Sequence, residues 1–453
     1  MTTIDFGTQR KTTLDRFLSL AADVRAGEGA TALLMAINGF LLLAAYYTIR
    51  PVRAALLLPV SLQLPWGGTM AGPEIQAYSG ALLAALFLFI VPLYSRIASK
   101  VNRIRLINAV TLFFAANLIL FFVLGRANAA PTLLGVTFFL WVGIFNLMVM
   151  AQFWSFANDL YTTEQGKRLF AIVGFGGSVG AAVGALFTAA LIQRLGPLAM
   201  MPVAALILVV GLLLSNVIHR RDAREGQRSE RRAEQAAEEP LGKAGGFQLV
   251  LGQRYLLLIG LLTLTVQVVN TNGNYILNAT VVQMAQGDGA VIGSFMAVMD
   301  FWQNVLSLAI QFFLVSRIFK YLGIGGALFV LPILALGSYS LIALAPVLAL
   351  IRVTKIAENA TDYSLQNTLR RALFLPTSRE AKYKALQTVE TFFWRTGDML
   401  SAFVTFVVVQ WLALSVRGYA AVNLGIVILW LVIALKLYRE NRVLTARAEP
   451  VAA

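Results

Sequence analysis

Ten ionisable residues stand in stretches that are otherwise apolar enough to cross a bilayer. Five are basic (Arg50, Arg53, Arg352, Lys355 and Arg395) and five are acidic (Asp300, Glu358, Asp362, Glu390 and Asp398). A charge in hydrocarbon is costly, so such residues usually face a water-filled cavity or pair with one another. Arg50 and Arg53 follow Tyr46 and flank Pro51 in Tyr46-Tyr47-Thr48-Ile49-Arg50-Pro51-Val52-Arg53. Proline has no backbone N–H, so it favours a kink or a break, and broken helices near the midplane often line a binding site. A guanidinium presents paired donors that match a phosphate or a carboxylate. The plainer reading is that both arginines reach out to the membrane interface.

Further along, Gln267, Asn270, Asn272 and Asn274 crowd into two turns around Gly273. So many amides could read the polar part of a solute, or could join helices by hydrogen bonds. Arg352, Lys355, Asn359, Asp362 and Gln366 follow steps of 3, 4, 3 and 4, with Glu358 alongside. Those steps keep them on one helical face. The face reads as a charged wall of a solute path, or as internal pairing such as Lys355 with Glu358. Arg395 and Asp398 are spaced to pair, either as a bridge that opens when a solute enters or as a static one.

The chain has no cysteine and a single histidine, His219, in a polar stretch. That excludes a thiol nucleophile, a disulfide and a cysteine-ligated metal, and argues against a histidine-ligated one. Gly176, Gly180 and Gly184 recur every fourth residue, a pattern of close helix packing. No Gly-Lys-Ser/Thr follows them, and Val179 breaks the dinucleotide-binding spacing. With no Ser/His/Asp array or metal motif, the expectation is that the chain is not an enzyme and holds neither cofactor nor metal.

The elements that must position these groups are membrane helices. The chain of 453 residues is 58% hydrophobic and 13% charged, about half the charge of a soluble domain. Apolar runs long enough to span predict twelve crossings: 31–58, 74–95, 104–125, 131–158, 168–193, 198–218, 250–283, 289–315, 321–344, 346–371, 383–412 and 417–437. The net charge of +15 reflects loops more than nucleic-acid binding. Arg96, Lys100, Arg103 and Arg105 follow span two, and Lys167 and Arg168 follow span four. Arg220, Arg221, Arg224, Arg228, Arg231 and Arg232 follow span six, and Arg317 and Lys320 follow span eight. Arg370, Arg371, Arg379, Lys382 and Lys384 follow span ten, and Arg439 and Arg442 lie in the tail. Odd-numbered loops hold little more than Arg126, Arg194 and Arg417. This alternation predicts cytoplasmic termini and cytoplasmic even loops.

One polar linker divides the spans into six and six. The predicted division is a cytoplasmic N-terminal segment 1–30, a six-helix half 31–218, a linker 219–249, a second half 250–438 and a tail 439–453. Leu14, Phe17, Leu18 and Ala21 give the first segment an apolar face suited to the membrane surface. Leu93-Tyr94-Ser95-Arg96-Ile97 recurs as Leu314-Val315-Ser316-Arg317-Ile318. The same offset carries Arg50 to Thr271 and Arg53 to Asn274, so spans one and seven correspond. Two parallel six-helix halves are the major facilitator arrangement, and the expected fold class is all-α and polytopic.

Three segments resemble the ATP/ADP translocase (nucleotide transporter) family of plastids and intracellular bacteria, with its free-living bacterial branch. The first is the Tyr46 to Leu56 stretch. The second is Phe153-Trp154-Ser155-Phe156-Ala157-Asn158-Asp159 with Lys167-Arg168-Leu169-Phe170. The third runs from Asp362-Tyr363-Ser364-Leu365 through Phe374-Leu375-Pro376, Lys382-Tyr383-Lys384 and Glu390 to Arg395-Thr396-Gly397-Asp398. The resemblance implies a major facilitator fold and nucleotide exchange, with Arg53 in the place of a phosphate-binding lysine. The chain departs from the family at Ala54, where an acidic residue is usual. It departs also at Gly397-Asp398, where Gly-Lys is usual, and at Arg371-Ala372, where Lys-Glu is expected.

The expected function is a secondary transporter working by alternating access, most simply exchanging nucleotides of the ATP/ADP type or carrying a related phosphorylated anion. Arg50, Arg53, Arg352, Lys355 and Arg395 would bind the anionic group, Asn270, Asn272 and Asn274 the polar remainder, and Tyr46 and Asn359 would also touch the solute. Asp300, Glu358, Asp362, Glu390 and Asp398 would hold those cations when the site is empty. Five charges against five are less basic than a site for multiply charged ATP should be, which favours a proton-coupled carrier of a smaller organic anion as the second reading. A non-transporting membrane scaffold or sensor is the third. The expected partners are a small anionic solute and the lipid bilayer, without nucleic acid, in a monomer. The first 30 residues lack a signal peptide's continuous apolar region, and the lack of a transit-like extension makes a bacterial inner membrane the expected location.

Overall fold

A computed structural model of the chain describes residues 11–19, 22–65, 68–98, 101–225, 245–378 and 380–448. Ala21, Lys100, Arg228, Arg231, Arg232 and Arg379, with most of the 219–249 linker, lie outside the described residues.

Among the described residues ten helical stretches are long and apolar enough to cross a membrane. One of them, Gly289–Leu344, runs for 56 residues. At 1.5 Å per residue that is about 84 Å, room for two crossings of a ~30 Å core. It is broken at Gly323, whose φ of 66° and ψ of 178° are non-helical. Span eight therefore comprises Gly289–Ala309 and the π turn Ile310–Leu314, and span nine lies beyond Gly323 in Val315–Leu344. Span ten is Leu348–Thr361, the π turn Asp362–Gln366 and Asn367–Ala372. Its polar stripe makes it too hydrophilic to register by hydropathy. With these two the twelve spans of the sequence are present, and the chain is a polytopic all-α membrane protein.

Local signals fix where several spans start. The Asn102 carboxamide caps span three (Arg103–Arg126) by accepting the Ile104 N–H at 3.2 Å. Thr162 and Gln165 form a reciprocal capping box on span five (Thr163–Leu195). Asp288 accepts the Ala290 and Val291 N–H groups at 2.7 and 3.1 Å, opening span eight. Span one, Gly29–Leu57, runs unbroken through Pro51, which corrects the expected interruption. Losing one bond from a long buried helix does not end it when packing holds its neighbours. The loop after span one holds a short hairpin that hydropathy does not reveal, Ser61–Gln63 antiparallel to Thr69–Ala71 with Ser61 opposite Ala71.

The chain forms two compact units. The first comprises residues 1–53, 92–129 and 141–239. Here spans one and five meet backbone to backbone, because a Cβ on Gly176, Gly180 or Gly184 would strike the carbonyl oxygens of Ala36, Phe40 and Ala44. Span three packs on span six (Met200–Glu225), where Asn108 and Asn216 exchange side-chain bonds of 3.1 and 2.9 Å. Leu18 and Val24 join a core with Phe153, Phe156 and Leu169, and Leu14 packs against it. Much of the apolar face of the N-terminal helix Thr13–Leu18 thus meets protein, while Phe17 is exposed.

The second unit comprises residues 54–91, 130–140 and 240–453. Span seven (Arg254–Met284) packs against spans ten, eleven and twelve, span nine against twelve, and span eight against ten. Tyr339, Tyr419 and Trp430 are its largest fully buried side chains. The parts of spans one, two and four nearest the hairpin belong to this unit. A Cβ on Gly289 would lie 2.5 Å from the Ala55 carbonyl oxygen, and Gln410 donates to Glu74.

Candidate functional site

Span seven is the centre of the site. Gly273 lets spans nine and ten approach it, because a Cβ there would collide with the Tyr339 hydroxyl and lie 2.9 Å from Lys355 Nζ. The Lys355 ammonium is fully buried. It donates to Asn270 Oδ1 at 2.9 Å, to the Asn270 carbonyl at 3.4 Å and to Glu358 Oε2 at 3.2 Å. The Tyr339 hydroxyl donates to the same Glu358 oxygen at 3.1 Å. An isolated buried ammonium would be very unfavourable, and this one persists because its donors are matched. Lys355 and Glu358 are therefore paired at rest.

The rest of the predicted face of span ten is also buried. Asn359 donates to Gln303 Oε1 of span eight at 3.0 Å. Arg352 is half-buried with its guanidinium 5.4 Å from the Phe295 ring. Asp362 opens the π turn and is 3% exposed, and neither carboxylate oxygen has a hydrogen-bond partner among the described residues. Single π turns recur at functional positions because they shift the register of the side chains that follow. Asp362, Glu358 and Asn270 line a small cleft whose other walls are Val266, Val269, Leu331, Ala335 and Trp430.

A second cluster lies where spans seven and eleven meet. Gln267 donates to Asp398 Oδ1 at 2.6 Å, and Thr271 donates to the same oxygen at 3.3 Å. Arg395 donates to Asp398 Oδ2 at 3.4 Å and stacks its guanidinium 4.4 Å from the Phe87 ring of span two. Gly397 permits the approach, since a Cβ there would come 2.8 Å from Gln267 Cβ.

Asn272 has a different surrounding from Asn270. It is fully buried and donates to Asn423 Oδ1 at 3.0 Å, while its own carbonyl accepts from Ser401 at 2.7 Å and from Tyr419 at 3.1 Å. Asn423 in turn donates to the Val269 carbonyl at 3.2 Å. That amide ties spans seven, eleven and twelve together. Asn274 is half-buried, Asp300 is buried and Glu390 is exposed.

In the first unit, Arg50 lies 5.4 Å from the Tyr47 ring, and Arg50 and Arg53 are both half-buried with polar or charged neighbours. Tyr46 stacks on Phe145 at 6.4 Å. Among the described residues no group of three His, Asp or Glu is placed to hold a metal ion.

Residues missed at the sequence level are Tyr339, Ser401, Tyr419, Asn423 and Gln303. Asn423 stands out in an apolar span, a signal that could have flagged it, but a tyrosine or serine in a span carries little. Arg370 needs correction. It was counted with the loop charges after span ten, yet it is 6% exposed and lies 4.4 Å from the Trp394 ring. It sits in the last turns of span ten, within the predicted bounds, and its packing on Trp394 carries an apparent loop cation into the interior.

Solved structures share this architecture. The bacterial homologue of the human lysosomal transporter Spinster, in an inward-facing and unoccupied conformation, aligns with a TM-score of 0.59 at 14% identity, covering 94% of this chain and 98% of its own. The nucleoside transporter NupG aligns at 0.59 and 14%, covering 90% and 98%. The POT family transporter PepTSo aligns at 0.63 and 10%, covering 91% and 98%. The fold is major facilitator-like. No protein-family profile matches the chain, and no curated protein matches it. Within this fold, buried Asp300 on span eight and Lys355, Glu358 and Asp362 on span ten, with the half-buried Arg395 and Asp398 on span eleven, stand on helices that hydrocarbon would otherwise favour as apolar.

Proposed function

We propose that the chain is a secondary carrier that works by alternating access and moves a small anion. The observation that carries this reading is the fully buried Lys355 with its Asn270 and Glu358 partners, in a fold shared with transporters. A scaffold would gain nothing from replacing well-packed apolar residues with a buried ion pair, since such pairs rarely add stability. Groups that exchange partners give a carrier two states whose balance a solute can shift.

Arg50 and Arg53 take the anionic group, with Tyr46 beside them. Arg352, Lys355 and Arg395 are cations whose pairing changes through the cycle, with Asp300, Glu358, Asp362, Glu390 and Asp398 as their acidic counterparts. Asn270, Asn274 and Asn359 serve the polar part of the solute, whereas Asn272 serves the scaffold. The resemblance to the nucleotide transporters makes ADP, ATP or a related phosphorylated anion the first solute class to test. A proton-coupled organic anion is the second, favoured by the Asp362 carboxyl, which has no hydrogen-bond partner among the described residues.

In this reading 31–218 and 250–438 are the two repeats, joined by 219–249. With both termini and the even loops in the cytoplasm of a bacterial inner membrane, the hairpin end faces outward. The contacts of Ala55 with Gly289, Glu74 with Gln410 and Phe87 with Arg395 then hold that end shut and part when it opens.

Thermal stabilisation of the purified protein across nucleotides, nucleosides, sugar phosphates and organic acids tests this, because a ligand that binds only the folded state raises the melting temperature. A rise with ADP or ATP that disappears in Arg53→Ala is the expected result. A rise only with another anion replaces the nucleotide and keeps the carrier. Absence of both a shift and reconstituted flux with every class overturns the carrier.

A further inference from the structure

We propose that the cleft among spans seven, nine, ten and twelve is a proton-binding pocket in which Asp362 takes up and releases the coupling proton. The inference rests on the carrier reading above and names its coupling ion.

Asp362 is 3% exposed and Glu358 5% exposed, and both line the cleft. Glu358 has one oxygen saturated by Lys355 and Tyr339, while its other oxygen has no partner among the described residues. Asp362 has none on either oxygen. A bare carboxylate in an apolar interior is strongly disfavoured, and the neutral acid is the form such a place tolerates. The Lys355–Glu358 pair is itself neutral; counting the buried Arg370, the cluster carries one net positive charge with Asp362 protonated and none once it ionises, so both protonation states find a place there.

Loss of the proton changes that balance. The O–H bond of the Asp362 carboxyl breaks, the electron pair stays on oxygen, and the proton passes to water. The new carboxylate then competes with Glu358 for the Lys355 ammonium. Because Lys355 also holds Asn270 in the middle of span seven, the proton state is communicated to that helix. Arg370 is a second cation within electrostatic reach. Its Nε and Nη1 make no hydrogen bond among the described residues, so it can receive the charged form.

The titratable and charged groups around Asp362 are few. Its own span supplies Lys355, Glu358 and Arg370, and span nine supplies the Tyr339 phenol. Span eleven supplies Glu390, which acts on Arg370, and span eight, packed against this part of span ten, supplies Asp300. Spans seven and twelve face the cleft with Asn270 and Trp430. A hard metal cation takes about six oxygen ligands. Only three side chains here offer oxygen and the other walls are apolar, so the chemistry suits a proton.

The test uses the full chain in lipid, as wild type and Asp362→Asn, with Asp362→Glu as a variant that retains the carboxyl. Infrared difference spectra between neutral and alkaline pH should show the carbonyl stretch of a protonated carboxylic acid in the wild type. The band should vanish in Asp362→Asn and move in Asp362→Glu. Vesicles loaded with ADP should then show net ADP movement biased about tenfold by a one-unit pH gradient, and the ratio of gradient-driven movement to ADP counterflow should collapse in Asp362→Asn. The proposal is overturned by a band that persists in Asp362→Asn, or by none in the wild type. It is overturned too by ADP flux indifferent to the gradient, or by a melting temperature that follows sodium and ignores pH. Vesicles that carry no ADP, with the band behaving as expected, discard the nucleotide and support the proton pocket.

Discussion

The two compact units solve the same packing problem with different chemistry. In the first, spans one and five approach through Gly176, Gly180 and Gly184, set against the carbonyl oxygens of Ala36, Phe40 and Ala44. Its cleft is lined by neutral groups, with Asn38, Thr111, Gln152 and Ser215 as the polar ones. In the second, span seven is held by side-chain hydrogen bonds, one of them from the paired Lys355 ammonium, and its cleft carries two carboxyls. Close backbone contact has one good arrangement, so it makes a rigid body. Paired charges can exchange partners at modest cost once water or a proton enters. The difference suggests that stability is concentrated in one unit and switching in the other.

That comparison breaks most readily at Lys355. Lys355→Met should destabilise the protein by ~3–5 kcal/mol, because Glu358 is left as a buried uncompensated charge. Adding Glu358→Gln should restore most of the loss, and melting temperatures of the single and double variants check it. A double variant as unstable as the single would mean that Lys355 acts by packing alone.

The next effect belongs to the glycine seam. Gly180→Ala should cost ~1–3 kcal/mol from overpacking against Phe40. Gly174→Ala, on the same helix with open space around it, should gain up to ~1 kcal/mol from helix propensity. Thermal unfolding of the two should therefore move in opposite directions, and equal losses would refute the seam.

Asn423→Leu should cost about 1–2 kcal/mol, since it strips Asn272 and the Val269 carbonyl of a partner. Its melting shift should exceed that of an apolar substitution at Leu429, which is exposed.

The smallest effect is at the entry to span one. Arg168 holds Glu28 through two bonds of 2.9 Å. Burial pushes the Glu28 carboxyl up, but the Arg168 bonds, the Arg25 N–H and Gln165 outweigh it and hold it below the usual range. A depressed carboxyl stabilises the fold above its unfolded pKa and loses that contribution as pH falls through the folded value. Glu28→Gln should thus remove at most ~1 kcal/mol at neutral pH and flatten the stability profile only on the acid side. Asp15, held at about 2 by Thr12, Gly27 and Gly29 despite burial, should lose its capping contribution over a still more acidic interval.

Much of the site could be read from the chain because charge in an apolar run is a strong signal. The stripe of Lys355, Asn359 and Asp362 follows helical spacing and does face inward. Asn272 and Asn270 look alike in sequence, and only their neighbours separate them: Asn423, Ser401 and Tyr419 for one, Lys355 for the other. Arg370 reads as a loop cation because positive residues cluster after span ten, and the depth of a helix end is not written in local hydropathy. Pro51 suggests a break that the buried helix does not make.

Apolar period and charge alternation are local quantities, summed along one segment, and they determined the number of spans, their order and the face of span ten that turns away from lipid. Which donor meets which acceptor depends on residues more than a hundred positions apart, such as Tyr255 with Leu373 or Gln267 with Asp398. Only the tertiary structure decided that Lys355 is matched, that Asn272 ties helices together and that the Asp362 carboxyl has no hydrogen-bond partner among the described residues, because desolvation and hydrogen bonding are properties of the assembled neighbourhood.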